Sequence, residues 1–111
     1  MYCTVVNDGL NGYTKRIAVF YGKALKKMPY ASAGVWVEDD GTVRLYSYST
    51  LVANIDKDGW LEVFGLYSAT TRRHISAFMD EYGNGNGYNI ARQCYEDKVK
   101  YNIYTGEVED I

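Results

Sequence analysis

The chain of 111 residues has a single proline, a single histidine and two cysteines, and carries neither an internal repeat nor a low-complexity tract. Each scarcity excludes something. With one proline and 47% apolar residues, it is not of the disordered or proline-rich class. Cys3 and Cys94 cannot build the multi-bridge framework of a small secreted domain. Together with the one histidine they also miss the paired spacing of a four-ligand zinc site. The opening MYCTVVNDGLNG lacks a basic region followed by an apolar run, so a secretory leader is not expected. No stretch approaches the ~20 apolar residues of a membrane span. These absences predict a cytoplasmic protein with reduced thiols and no membrane contact.

What is present is tyrosine, twelve of them, an amphipathic residue suited to half-buried strands and to contact surfaces. The length suits one domain, residues 1–111, with a modest core. The net charge of −2 says little, but its distribution is uneven. Between Gly9 and Val37 lie five basic residues (Lys15, Arg16, Lys23, Lys26, Lys27) and no acid. Acids follow at Glu38, Asp39 and Asp40, and the tail holds Glu107, Glu109 and Asp110 without a lysine or arginine after Tyr101. Such segregation creates local patches on a weakly acidic protein.

The middle of the chain has the clearest pattern. Runs rich in β-branched and aromatic residues are separated by Asp40-Gly41 and Asp58-Gly59, both strong hairpin signals. Val43, Leu45 and Ser47 share one face of their run, with Arg44, Tyr46 and Tyr48 on the other. Leu61 and Val63 likewise oppose Trp60, Glu62 and Phe64. The pattern predicts an antiparallel meander of three or four strands over about residues 33–64. Next comes YSATTRRHISAFMDEYG. Ser68 is a suitable N-cap, and Thr71, Ile75, Phe78, Met79 and Tyr82 form one stripe, predicting an amphipathic helix over about 68–82. Gly83 is expected as its left-handed C-cap, and GNGNG as a loop. A second short helix over NIARQCYED and a strand in KVKYNIY complete an α+β fold, the helix packed on the meander with short flanking elements.

The segment 14–28 reads two ways. IAVFY favours a strand by propensity. As a helix, which is the preferred reading, Ile17, Tyr21, Ala24 and Met28 line one side. The five basic residues then gather on another side, and Met28-Pro29 ends it.

Few residues suggest chemistry. His74 sits at the border of the apolar stripe, and nothing in the spacing pairs it with Cys94 as a thiolate–imidazole couple. DKDG, Asp56 to Gly59, lacks the alternating carboxylates of a calcium loop and reads as a turn. GNGNG follows a helix instead of opening one, unlike a phosphate-binding loop. No catalytic, cofactor or metal site is expected. The anomaly is the 68–82 helix, whose charges run against its dipole: Arg72 and Arg73 near the start, Asp80 and Glu81 near the end. Either an acid from elsewhere (Glu38, Asp39, Asp40 or the tail) pairs with the arginines, or Thr70, Thr71, Arg72 and Arg73 form an anion- or partner-binding helix start. With Lys15, Arg16, Lys23, Lys26 and Lys27 they would make a basic surface for nucleic acid or an acidic partner.

FYGKA (Phe20–Ala24), LYSYSTLVANID (Leu45–Asp56) and YSATTRRHISAF (Tyr67–Phe78) resemble a family of small uncharacterised domains carried by phages and prophages of Gram-positive gut bacteria. The resemblance implies a tyrosine–serine strand followed by a loop and a helix, with FYGKA extended; the inserted KKMPYASAG departs from it. It implies an origin and no biochemical activity. Small phage proteins often disable host machinery through a competing surface. The first expectation is therefore a non-enzymatic protein of the host-cell cytoplasm that binds and inhibits a host protein, as an anti-CRISPR or other counter-defence inhibitor would. The second is a nucleic-acid-binding accessory protein that uses the basic residues.

Overall fold

The alternating run of residues 33–63 folds into four strands, β1 (Ala33–Val37), β2 (Val43–Ser47), β3 (Thr50–Ile55) and β4 (Trp60–Val63). The fold is that of a computed structural model, which describes residues 23–111. Helices α1 (Ala69–Tyr82) and α2 (Tyr88–Asp97) follow, then strands β5 (Val99–Asn102) and β6 (Val108–Asp110). The six strands form one sheet in sequence order, every neighbouring pair antiparallel. The fold is α+β, as the pattern predicted, with β6 an addition that the sequence reading did not anticipate.

The hairpin signals act as expected. After β1, the Gly41 amide donates to the Glu38 carbonyl at 3.0 Å and the Asp40 carboxylate accepts from the Thr42 amide at 2.8 Å. After β3, the Gly59 amide donates to the Asp56 carbonyl at 2.9 Å, and the Asp56 carboxylate accepts from the Asp58 and Trp60 amides. The β2–β3 turn has no such signal. Ser47 pairs with Thr50, so Tyr48 and Ser49 alone make the turn, with φ of 52° and 73°. Both central residues of that turn are left-handed, a conformation usually filled by Asn and Gly. Tyr48 thus belongs to a turn and not to the strand face assigned to it from alternation.

The pleat decides the core. Val35, Leu45, Ala53, Ile55, Leu61 and Val63 are buried on one face, and Arg44, Tyr46, Asn54, Trp60 and Glu62 are half-buried on the other. Val52, the extra residue of a bulge between β2 and β3, is also fully buried. Both helices lie on the first face. α1 buries Thr71, His74, Ile75, Ala77, Phe78 and Met79, and α2 contributes Ala91 and Cys94. His74 is thus inside the core and not at its border.

Two local expectations are corrected. Gly83 ends α1 with φ −80°, not in the left-handed region; Asn84, with φ 54°, takes that role. Gly83 is required for another reason: a Cβ there would stand 2.6 Å from the Met79 carbonyl oxygen and 2.7 Å from that of Asn86. The helix preferred for 14–28 is absent from its described part, residues 23–28, and the remainder lies outside the described residues. Lys23 exchanges both backbone hydrogen bonds with Val35, at 2.7 and 2.8 Å, and Leu25 is fully buried. The open edge of β1 and a core position for Leu25 outweigh the helical spacing. Among the described residues, no helix is long and apolar enough to cross a membrane.

Candidate functional site

The start of α1 is built by its cap. Ser68 is extended, with its hydroxyl accepting from the Thr71 amide at 3.1 Å, which satisfies one of the free amides of the first turn. The Thr71 side chain then points into the core, where the Ser47 hydroxyl lies 3.3 Å from it. Ser47 also lies 2.8 Å from His74 Nδ1. Ser68, Thr71, Ser47 and His74 thus form a chain of polar contacts from the surface to the core. It pins α1 to β2, because each buried group would otherwise lose its hydrogen bond to water. One signal for this was legible: Ser47 is the hydroxyl on an otherwise apolar strand face. Its partner was not.

His74 is 1% exposed. Burial, and secondarily the neighbouring Arg73 guanidinium, hold its imidazole below the ordinary histidine range, so it is neutral near pH 7. Buried in this way, it anchors the fold. Cys94 has its thiol pushed up to about 11 by burial and by Asp97, so it is protonated and a poor nucleophile. Among the described residues no three His, Cys, Asp or Glu side chains gather as metal ligands.

Above this anchor the surface is aromatic and basic. The Tyr48 ring packs 5.7 Å from that of His74 while the residue stays 58% exposed. Tyr67, just before the cap, is 65% exposed, and its ring folds back against Gly65. Arg72 and Arg73 are exposed on the first two turns, and Arg73 Nη2 donates to Thr70 Oγ1 at 3.3 Å. Among the described residues no acid lies within salt-bridge distance of either arginine. Three of the acids expected to fold back onto them are occupied elsewhere. Glu38 pairs with Arg44 at 3.3 Å, Asp40 holds the Thr42 amide, and Glu109 faces Lys100 at 3.9 Å.

The described basic residues do not converge. Thr70, Thr71, Arg72 and Arg73 share the start of α1. Lys26 and Lys27 lie at its other end, where the Lys26 amide donates to Glu81 at 2.8 Å and Lys27 Nζ meets Asp80 at 3.0 Å. Eight residues of helix separate the two groups, about 12 Å at ~1.5 Å per residue. Lys23 is committed through its backbone to the edge of β1, and Lys15 and Arg16 lie outside the described residues.

No curated protein and no solved structure matches the chain. A family model does match over residues 10–97, which takes in the meander and both helices and leaves out β5 and β6. The chain therefore belongs to a family of unknown function, DUF8033.

Proposed function

We propose that this is a non-enzymatic protein of phage origin that acts in the host cytoplasm by binding and inhibiting a host protein. Counter-defence, including inhibition of a CRISPR effector, is the setting we assign to it. One observation carries the reading: exposed Tyr48, Tyr67, Arg72 and Arg73 surround the first two turns of α1, and among the described residues no acid engages the two arginines. Tyrosine and arginine are the residues most often found to dominate protein interfaces, since each combines broad apolar contact with a directional polar group. The polar anchor beneath them, Ser47 to His74, holds the patch rigid, which lowers the entropy lost on binding. The phage assignment rests on the resemblance carried by the tyrosine–serine strand and the α1 segment.

A nucleic-acid role draws on the same two guanidinium groups at a helix start, which no described acid pairs with. It is the weaker reading, because Lys26 and Lys27 sit at the opposite end of the helix and Lys27 faces Asp80. The tagged protein, passed through lysate of a CRISPR-bearing Gram-positive host with and without nuclease, separates the two. The expected result is one stoichiometric protein that survives nuclease and moderate salt. Its capture should fall at least tenfold with Arg72→Ala plus Arg73→Ala, and similarly with Tyr48→Ala plus Tyr67→Ala. Nucleic acid alone, lost on nuclease treatment and steeply salt-dependent, would replace this reading with the other.

A further inference from the structure

Among the described residues, nothing pairs with the outer edge of the sheet at β6. The Asn102 amide donates to the Glu107 carbonyl at 2.8 Å, which makes that pair a hydrogen-bonded one. Antiparallel ladders alternate, so with Lys100 opposite Glu109 and Tyr101 opposite Val108, the N–H and C=O of Val108 and Asp110 point away from β5. Among the described residues no backbone group pairs with them. Beside this edge runs an apolar groove of about 140 Å³. The α2 stripe Ile90, Gln93, Cys94 and Asp97 forms one wall, and Val99, Tyr101 and Val108 form the other. That is close to the ~150 Å³ of an apolar cavity that takes one benzene. Among the described residues lining it, Asp97 is the one that is charged.

We infer that the β6 edge and this groove form a docking site for an extended, basic segment of a partner protein. The segment adds a seventh strand to the sheet, seats one apolar side chain in the groove and places its cations against the acidic rim. Charge decides the occupant. From Glu96 to Ile111 there are five acids and two lysines, and one of those, Lys100, already lies 5.5 Å over the Trp60 ring and 3.9 Å from Glu109. A second copy of the chain pairing through β6 would bring Glu109 and Asp110 close to their own kind, which a sheet disfavours. A strand whose lysines lie on the Glu109 face meets the opposite sign there, while its other face seats the apolar side chain beside Val108. Backbone hydrogen bonds supply the affinity and the groove selects the side chain, as in other strand additions. The site is separate from the start of α1: β2 and β6 are four strands apart, about 19 Å at ~4.8 Å per strand. It does not rest on the function proposed above.

The test is a titration of the ¹⁵N-labelled full chain with an N-acetylated, C-amidated heptapeptide alternating lysine and valine, and with its glutamate–valine counterpart. The expected result is saturable shifts confined to Val99–Asp110 and the Ile90–Asp97 stripe with the lysine peptide and none with the glutamate one. Val108→Pro removes an outward amide without breaking a ladder bond to β5, a change that edge strands tolerate. It should weaken binding at least tenfold. Should that variant disturb the hairpin, Glu109→Lys with Asp110→Lys decides, again by a tenfold or greater loss. No shifts, equal shifts from the glutamate peptide, or binding unchanged in these variants would overturn the inference. So would sedimentation showing a β6-dependent dimer that the lysine peptide fails to dissociate, since the edge would then belong to a second copy.

Discussion

The two ends of α1 carry charges of the wrong sign for a helix dipole, and the protein treats them differently. At the C-terminal end Asp80 and Glu81 are put to internal use. They receive the Lys27 ammonium and the Lys26 amide and so fasten the turn that buries Leu25. At the N-terminal end no described acid answers Arg72 or Arg73. The helix start is held instead by uncharged groups, the Ser68 cap and the buried contacts of Thr71, Ser47 and His74. An unfavourable charge placement is thus compensated by packing at one end. At the other it stands on a separately anchored surface, the one proposed above to meet a partner.

The comparison can be broken most severely at the anchor. Ser47→Ala leaves a ring nitrogen of His74 without a partner inside the core. It should cost about 1–3 kcal/mol in urea unfolding, because the desolvation penalty of the orphaned group is felt in full. A loss under a few tenths would mean that the start of α1 is not held in this way. The next effect depends on pH. Burial lowers the His74 value in the folded state, so the folded protein binds fewer protons than the unfolded chain. Its contribution to stability is complete above the unfolded value near 6.5 and is lost as pH falls below it towards the depressed folded value. Unfolding curves between pH 7.5 and 5 should show this decline, and His74→Gln should flatten it; an identical slope in the variant would assign the decline to carboxylates.

The smallest effect sharpens the contrast between the ends. Because Lys27 and Asp80 are both substantially exposed, a double-mutant cycle to alanine should give a coupling of no more than ~1 kcal/mol. Arg72→Ala with Arg73→Ala should change stability by less than about 0.5 kcal/mol, with a slight gain expected as the unfavourable interaction with the dipole goes. A large loss on removing the arginines would show that they too are bound internally.

Much of this was readable along the chain. The strand alternation from Val43 to Val63, the Asp-Gly turns, the Ser68 cap and the α1 stripe all involve residues within a few positions of one another. Their local physics agrees with the final fold. The turn at Tyr48 and Ser49 was not readable, because its residues are not those that favour left-handed backbone. There the pairing of the flanking strands imposes the conformation. Residues 23–28, the described part of the 14–28 segment, depart from helix for a similar reason: helical spacing there yields to the hydrogen bonds offered by the edge of β1.

By itself, then, the sequence determined the order of strands and helices from β1 to β5, which faces are apolar, and the fact that α1 carries reversed charges. Only the tertiary structure decided what those charges mean. It set Ser47 against His74 across 27 positions of chain and Lys27 against Asp80 across 53. It also kept every described acid away from Arg72 and Arg73. Periodicity and capping depend on neighbours in the chain, whereas pairing and burial depend on which distant segments the sheet brings together.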